Sequence, residues 1–202
     1  MTPSAVAMDG LDALPRDFHA RATERVARDL LGRYLVLRNP MDGPKVGRIV
    51  ETEAYVGPHD LASHSSHGRT TRTAPMFEEP GHAYLYFIYG MHWCINVVTE
   101  NVGQGCAVLL RAVEPKLGLA GTTNGPGKLC RAFGIDGRWN RADLTEGALT
   151  ISAGQPVADD AVSVSPRIGV GYAGTWAEEP LRFLVTSSLC LSRYPTRAML
   201  RA

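Results

Sequence analysis

The run of polar and apolar positions from Val46 to Val56 reads as a β-strand. Successive side chains of a strand point to opposite faces, so Ile49, Glu51, Glu53 and Tyr55 share one of them. A second strand pattern, Tyr84-Leu85-Tyr86-Phe87-Ile88, runs into Tyr89-Gly90-Met91-His92, which has the composition of a turn. This sets a tyrosine where the chain reverses and can project outward. Trp93 to Val98 reads as the return strand, with Cys94, Asn96 and Val98 on one face. Gly105 to Val113 reads as a third strand, strongly apolar except for Arg111. An arginine inside an apolar strand needs an anionic partner, and Glu53 is the candidate.

Shorter signals fill in the rest. Thr23 is an N-cap candidate for a helix carrying Val26, Leu30 and Leu31 and closed by Gly32. Tyr34 to Leu37 predicts a strand, joined to the next one through a turn at Pro40-Met41-Asp42-Gly43-Pro44. Gly127-Lys128 predicts the start of a helix through Leu129 and Phe133, with free backbone N–H groups suited to an anion. Another helical turn is expected over 140–144, and short strands near 161–164 and 181–186. Residues 1–13 are small, polar and patternless, and predict a disordered tail. The sum is an α+β protein: one compact domain over 14–202, with a mostly antiparallel curved sheet, hairpins and a few peripheral helices.

Composition narrows the chemistry. The chain has 202 residues, 45% hydrophobic and 20% charged, with a formal net charge of +1. Bulk charge therefore does not announce a nucleic-acid binder, and such a function must rest on a local basic patch. From Leu61 to Phe77 there is no acidic residue, while His64, His67, Arg69 and Arg72 are present. That loop suits a phosphate backbone, and equally suits a solvated surface. The four cysteines form no C-x-x-C pair, and neither a secretory leader nor a membrane-length apolar run is apparent. Reduced thiols and a cytoplasmic location are expected.

Several motifs mislead. Gly169-Val170-Gly171-Tyr172-Ala173-Gly174 matches G-x-G-x-x-G, but Pro180 follows too soon for the helix that a dinucleotide site requires. Gly125-Pro126-Gly127-Lys128-Leu129 lacks the first glycine and the final Ser or Thr of a phosphate-binding loop. The histidines show no paired metal-ligand spacing, and no G-x-S-x-G elbow supports a serine hydrolase. Neither a metal nor a cofactor is expected.

Taken together, Gly47 to Pro58 (GRIVETEAYVGP), Asp60, His64, Met76-Phe77, Pro80-Gly81, Tyr86, Tyr89 to His92, Cys94, Asn96, Arg111 to Pro115, Gly125 to Cys130 and Arg167 to Gly171 resemble the alkyladenine (3-methyladenine) DNA glycosylase family of mammalian type. The resemblance runs in one order from about Leu14 to near the C-terminus. It implies a monofunctional enzyme of base-excision repair that flips an alkylated or deaminated purine out of duplex DNA and hydrolyses its N-glycosidic bond. 3-Methyladenine, 7-methylguanine, hypoxanthine and ethenoadenine are the bases it implies. By the same resemblance Glu53 is the general base for water, held with Arg111 and the carbonyl of Ile168. Tyr55, His64 and Tyr86 wall the base pocket, and Asn96 excludes the amino group of guanine. Tyr89 and Met91 form the wedge, while Arg69, Arg72, Lys128 and Gly169 meet the DNA backbone. No lyase step is implied, His64 is the one candidate acid, and a monomer is expected. The chain departs from longer family members in a short segment over 116–124, in the acidic pair Glu78-Glu79, and in His59 where some relatives carry an acid. A binding module without chemistry and a hydrolase of free nucleosides are the two rival readings of the same residues.

Overall fold

In the computed structural model, residues 10–39 and 41–196 are described. Helices α1 (Arg16–His19) and α2 (Thr23–Asp29) precede a hairpin of β1 (Tyr34–Asn39) and β2 (Gly43–Tyr55). A second hairpin follows, β3 (Ala83–Ile88) with β4 (His92–Thr99), then β5 (Cys106–Leu117) and helix α3 (Pro126–Phe133). Short strands β6 (Leu149–Ser152), β7 (Val162–Ser165) and β8 (Arg182–Val185) complete a single eight-stranded sheet. Every pairing is antiparallel, in the order β3-β4-β5-β2-β1-β6, with β8 also on β2 and β7 on β8. Strand β2 is the axis of this arrangement. Its first half pairs with β1 and its second half with β8, while β5 runs along its other side.

One sheet face carries the main core. Val26, Leu30 and Leu31 of the α2 region and Leu129 and Phe133 of α3 pack with Val50, Ala54, Leu85, Ile95, Val108 and Leu110. Burying each of these side chains larger than Ala54 contributes about 1.5–3 kcal/mol. The Thr52 hydroxyl, on this face, donates to the Ala27 carbonyl at 2.8 Å and ties β2 to α2. On the opposite face Tyr84, Val98 and Ala107 pack under Met76 and Phe77. The basic loop is thus folded, in 3₁₀ turns at His64–His67 and Ala74–Phe77. Gly105 lets it close down, since a Cβ there would lie 2.7 Å from the Phe77 ring.

Three local expectations change. Ala22, not Thr23, caps α2, because the Thr23 amide and hydroxyl both donate to the Glu100 carboxylate. The 3₁₀ turn falls at Gly137–Trp139, where the Asp136 side chain accepts from the Arg138 amide. Residues 140–144 are not helical: the Ala83 amide donates to the Ala142 carbonyl, the Leu85 amide to the Asn140 side chain, and Asp143 bridges His82. They cover the outer edge of β3, an edge that would otherwise present unpaired backbone groups. Of the expected tail, residues 1–9 lie outside the described residues. In the remainder Leu11 is buried and Ala13 bridges Ser152.

Candidate active site

The register of five strands sets one row of side chains on a single sheet face. Tyr84 lies opposite Asn96, Asn96 opposite Leu109, Leu109 opposite Glu53, and Glu53 opposite Arg182. Cross-strand partners point the same way, so residues far apart in sequence meet there. Between Ile49 and Thr52 the β2–β5 register slips and recovers: Glu51 faces Ala112, Thr52 faces Leu110, and Arg111 has no Cα partner in the ladder. Arg111 lies two residues from Leu109, so alternation already sets it on the face that holds Glu51 and Glu53, and the slip leaves it outside the ladder between them.

Glu53 is fully buried beside a cleft of about 680 Å³. Its Oε1 accepts from the Ile168 amide at 2.7 Å, and its Oε2 from the Tyr55 hydroxyl at 3.0 Å. Arg111 Nη1 stands 3.1 Å from Oε2. Burial works against the charge on Arg111, but Glu53 and Glu51 outweigh it and its pKa rises. Burial, and then the adjacent Glu53 carboxylate, raise the Tyr55 phenol well above its ordinary value, so Tyr55 remains a donor. The predicted partnership of Arg111 with Glu53 is present, and Glu51 shares it at 3.0 Å from Arg111 Nε.

Aromatic side chains wall the cleft. Tyr55, His64, Tyr84 and Tyr86 all line it, with Met76 and Cys94 between them. The His64 ring meets Tyr86 edge-on, centroids 4.6 Å apart, and its Nδ1 is 2.9 Å from the Tyr84 hydroxyl. Burial, with the charge of Arg72 and then His67, lowers the His64 pKa to about 4. His64 is therefore neutral at pH 7 and poorly suited to the acid role considered for it. Burial pushes the Tyr84 hydroxyl up to about 12. Asn96 reaches into the same cleft with its Nδ2 donating to the Tyr84 carbonyl at 3.0 Å, which fixes the side chain's direction.

At the rim, Tyr89 and Gly90 form the tip of the β3–β4 hairpin, both with positive φ (54° and 64°). The Met91 amide closes the turn on the Ile88 carbonyl at 3.2 Å. Tyr89 is 80% and Met91 64% exposed, so two apolar side chains stand in solvent beside the cleft mouth. Lys128 and Gly169 also line the cleft. Arg69 and Arg72 are exposed on the basic loop, and Arg72 lies 5.9 Å over the Tyr86 ring. The acids that departed from the pattern are offset: Glu78 pairs with Arg141 at 3.1 Å and Glu79 lies 3.8 Å from Arg16. Gly174–Ala177 is a 3₁₀ turn, so no α-helix follows the glycine-rich run.

Sequence reasoning gave no role to Asp60 and Arg167, which form a fully buried pair, with Arg167 Nη2 2.8 Å from Asp60 Oδ1. Arg167 also donates to the Ala54 carbonyl and lies 4.8 Å over the Tyr55 ring. It thereby fixes the backbone entering Ile168 as well as one wall of the cleft. Their only sequence signal is their place within the quoted motifs. Among the described residues no group of three His, Cys, Asp or Glu could hold a metal ion. No described helix is long and apolar enough to cross a membrane.

Residues 17–189 match the family model described as methylpurine-DNA glycosylase. A protein of Myxococcus xanthus (strain DK1622), named "Putative 3-methyladenine DNA glycosylase", is 54% identical over 90% of this chain and 94% of its own. One of the same name from Legionella pneumophila (strain Corby) is 48% identical over 89% and 98%. Another, from Methanocella arvoryzae, is 46% identical over 91% and 97%.

Proposed function

The chain belongs to the methylpurine-DNA glycosylase family, hydrolases of N-glycosyl bonds, and from that premise we propose that it removes 3-methyladenine, 7-methylguanine and, more slowly, deaminated or ethenylated purines from duplex DNA. The observation that carries the proposal is the buried carboxylate of Glu53, held by Ile168, Tyr55 and Arg111 beside an aromatic cleft.

A base stacked in a duplex is out of reach, so the nucleotide is extruded at a cost of a few kcal/mol. Tyr89 and Met91 fill the gap left in the stack. Arg69, Arg72, Lys128 and the backbone at Gly169 hold the phosphates. The flipped purine enters between Tyr55 and Tyr86, whose π-faces favour a cationic ring, while His64 borders it edge-on. Asn96, tied to Tyr84, cannot rotate away from the amino group of guanine. Glu53 accepts a proton from water as that water's oxygen bonds to the sugar C1′; Arg111 and the Ile168 carbonyl orient it. The bond from C1′ to the purine nitrogen breaks, and its electron pair leaves with the base. An N-alkylated purine carries positive charge and departs without further help. Hypoxanthine does not, and His64 is neutral, so cationic bases are the faster substrates. The scheme places Lys128 on the phosphates and uses no amine at the sugar, so the product is an intact abasic strand.

The test is single-turnover release of 7-methylguanine and hypoxanthine from labelled duplexes, by wild type and by Glu53→Gln. Release by the wild type should fall roughly 10²- to 10⁴-fold in the variant, with strand breakage only after alkali. Equal rates for the two proteins, or no release by either, would overturn the assignment.

A further inference from the structure

Glu51 is fully buried two residues before Glu53 and does not line the cleft. Its Oε1 accepts from Arg111 Nε at 3.0 Å, Arg182 Nε at 2.7 Å and Ser192 Oγ at 2.7 Å. Its Oε2 accepts from the Ser192 amide at 2.6 Å. Ser192 lies beyond residues 17–189, the stretch that carries the family match. Its hydroxyl has one proton, given to Glu51, and lone pairs that accept from Arg111 Nη2 at 3.1 Å and Nε at 3.3 Å. The guanidinium is planar and rigid. Fixing its Nε/Nη2 edge therefore fixes where Nη1 points, and Nη1 is the atom that meets Glu53 at 3.1 Å.

We propose that Glu51 and Ser192 are positioning residues that lock Arg111 against Glu53, so that the C-terminal segment around Ser192 completes the active site. The proposal rests on the roles given above to Glu53 and Arg111. The segment is itself anchored. Arg182 donates to the Arg193 carbonyl, the Tyr194 hydroxyl to the Ser188 carbonyl at 3.1 Å, and the Ser188 hydroxyl to Glu114 at 2.9 Å. Glu51 also lets two guanidiniums, Arg111 and Arg182, lie side by side in a buried site, because its carboxylate faces both. Ser192 contributes no charge to this cluster. It supplies direction.

Ser192→Ala is the informative variant, since it keeps the backbone bond to Glu51 and removes only the hydroxyl. Single-turnover release of 7-methylguanine should fall on the order of tenfold. Affinity for the lesion-bearing duplex should stay at the wild-type value, while the melting temperature falls by a few degrees because Arg111 Nη2 and Glu51 each lose a partner. Ser192→Thr, which retains the hydroxyl, should restore the rate, and in an Arg111→Gln background Ser192→Ala should cost nothing further. An unchanged rate in Ser192→Ala would overturn the inference. So would a fall of affinity as large as that of the rate, or a threonine variant no better than alanine. If the wild type itself releases no base, the proposed function fails; if only Ser192→Ala is without effect, this inference alone fails.

Discussion

At the scale of single residues, the site is a set of direction-fixing hydrogen bonds around groups whose types are common. Asn96 illustrates this. Its amide is committed to the Tyr84 carbonyl, so its bulk stays in the cleft in one orientation. Shortening it should relax discrimination rather than abolish turnover. Asn96→Ser is expected to release undamaged guanine from duplex DNA at a rate raised by roughly tenfold or more, measured by base analysis after long incubation. No gain of guanine release would show that Asn96 does not guard the pocket. Arg167 is a second case, since its bonds to Asp60, Ala54 and Trp176 hold both the Tyr55 wall and the chain leading to Ile168. Breaking a buried pair by removing one partner costs about 3–5 kcal/mol. Asp60→Asn should therefore lower stability and activity together, and stability by more than Ser192→Ala does.

At the scale of elements, the β3–β4 hairpin carries an evident conflict between stability and use. Tyr89 takes φ 54° at the hairpin tip, a left-handed conformation that costs a non-glycine residue about 1–2 kcal/mol. It is also largely exposed, so burial in the protein does not offset that cost. Replacing it with glycine should relieve the backbone and raise stability by about 1 kcal/mol, read as a shift in the urea midpoint. The same change should slow base release while leaving nonspecific duplex binding nearly intact. Tyr89→Ala should slow release equally without the gain in stability. Equal losses of binding and release would remove the wedge role.

At the scale of the whole molecule, acid stability depends on histidines kept neutral by the fold. His19 is fully buried with neither ring nitrogen hydrogen-bonded, and burial, then Arg16 and Arg21, lower its pKa to about 4. His64 is lowered to about 4 as well. Unfolded, each titrates near its ordinary value of 6.5. Between about pH 6.5 and 4 the unfolded chain binds more protons, so stability falls as pH falls through that window. His19 alone accounts for roughly 3 kcal/mol of the loss. His19→Phe should keep most of the stability at pH 7.5 and flatten the slope, as denaturant midpoints at several pH values would show. An unchanged slope would mean that folding does not shift the His19 pKa.

The central strands, the two hairpins and most groups in the cleft are legible in local sequence. The strand composition of β2 and the lone Arg111 in an apolar strand are local signals, and strand geometry then assigns each side chain a face. The 3₁₀ turn at Gly137–Trp139 and the capping of α2 were misplaced because Asn140, Ala142 and Thr23 bond to distant partners. That Arg111 serves two carboxylates, that Asp60 and Arg167 brace Tyr55, and that Ser192 closes on Glu51 is visible only in the folded chain. Those depend on strand register and on the segment around Ser192, which folds back onto β2. No window of sequence contains both ends of such a contact. The physical reason is that a carboxylate or guanidinium taken out of water is stabilised by whichever partner the fold brings within bonding distance, whatever its separation along the chain.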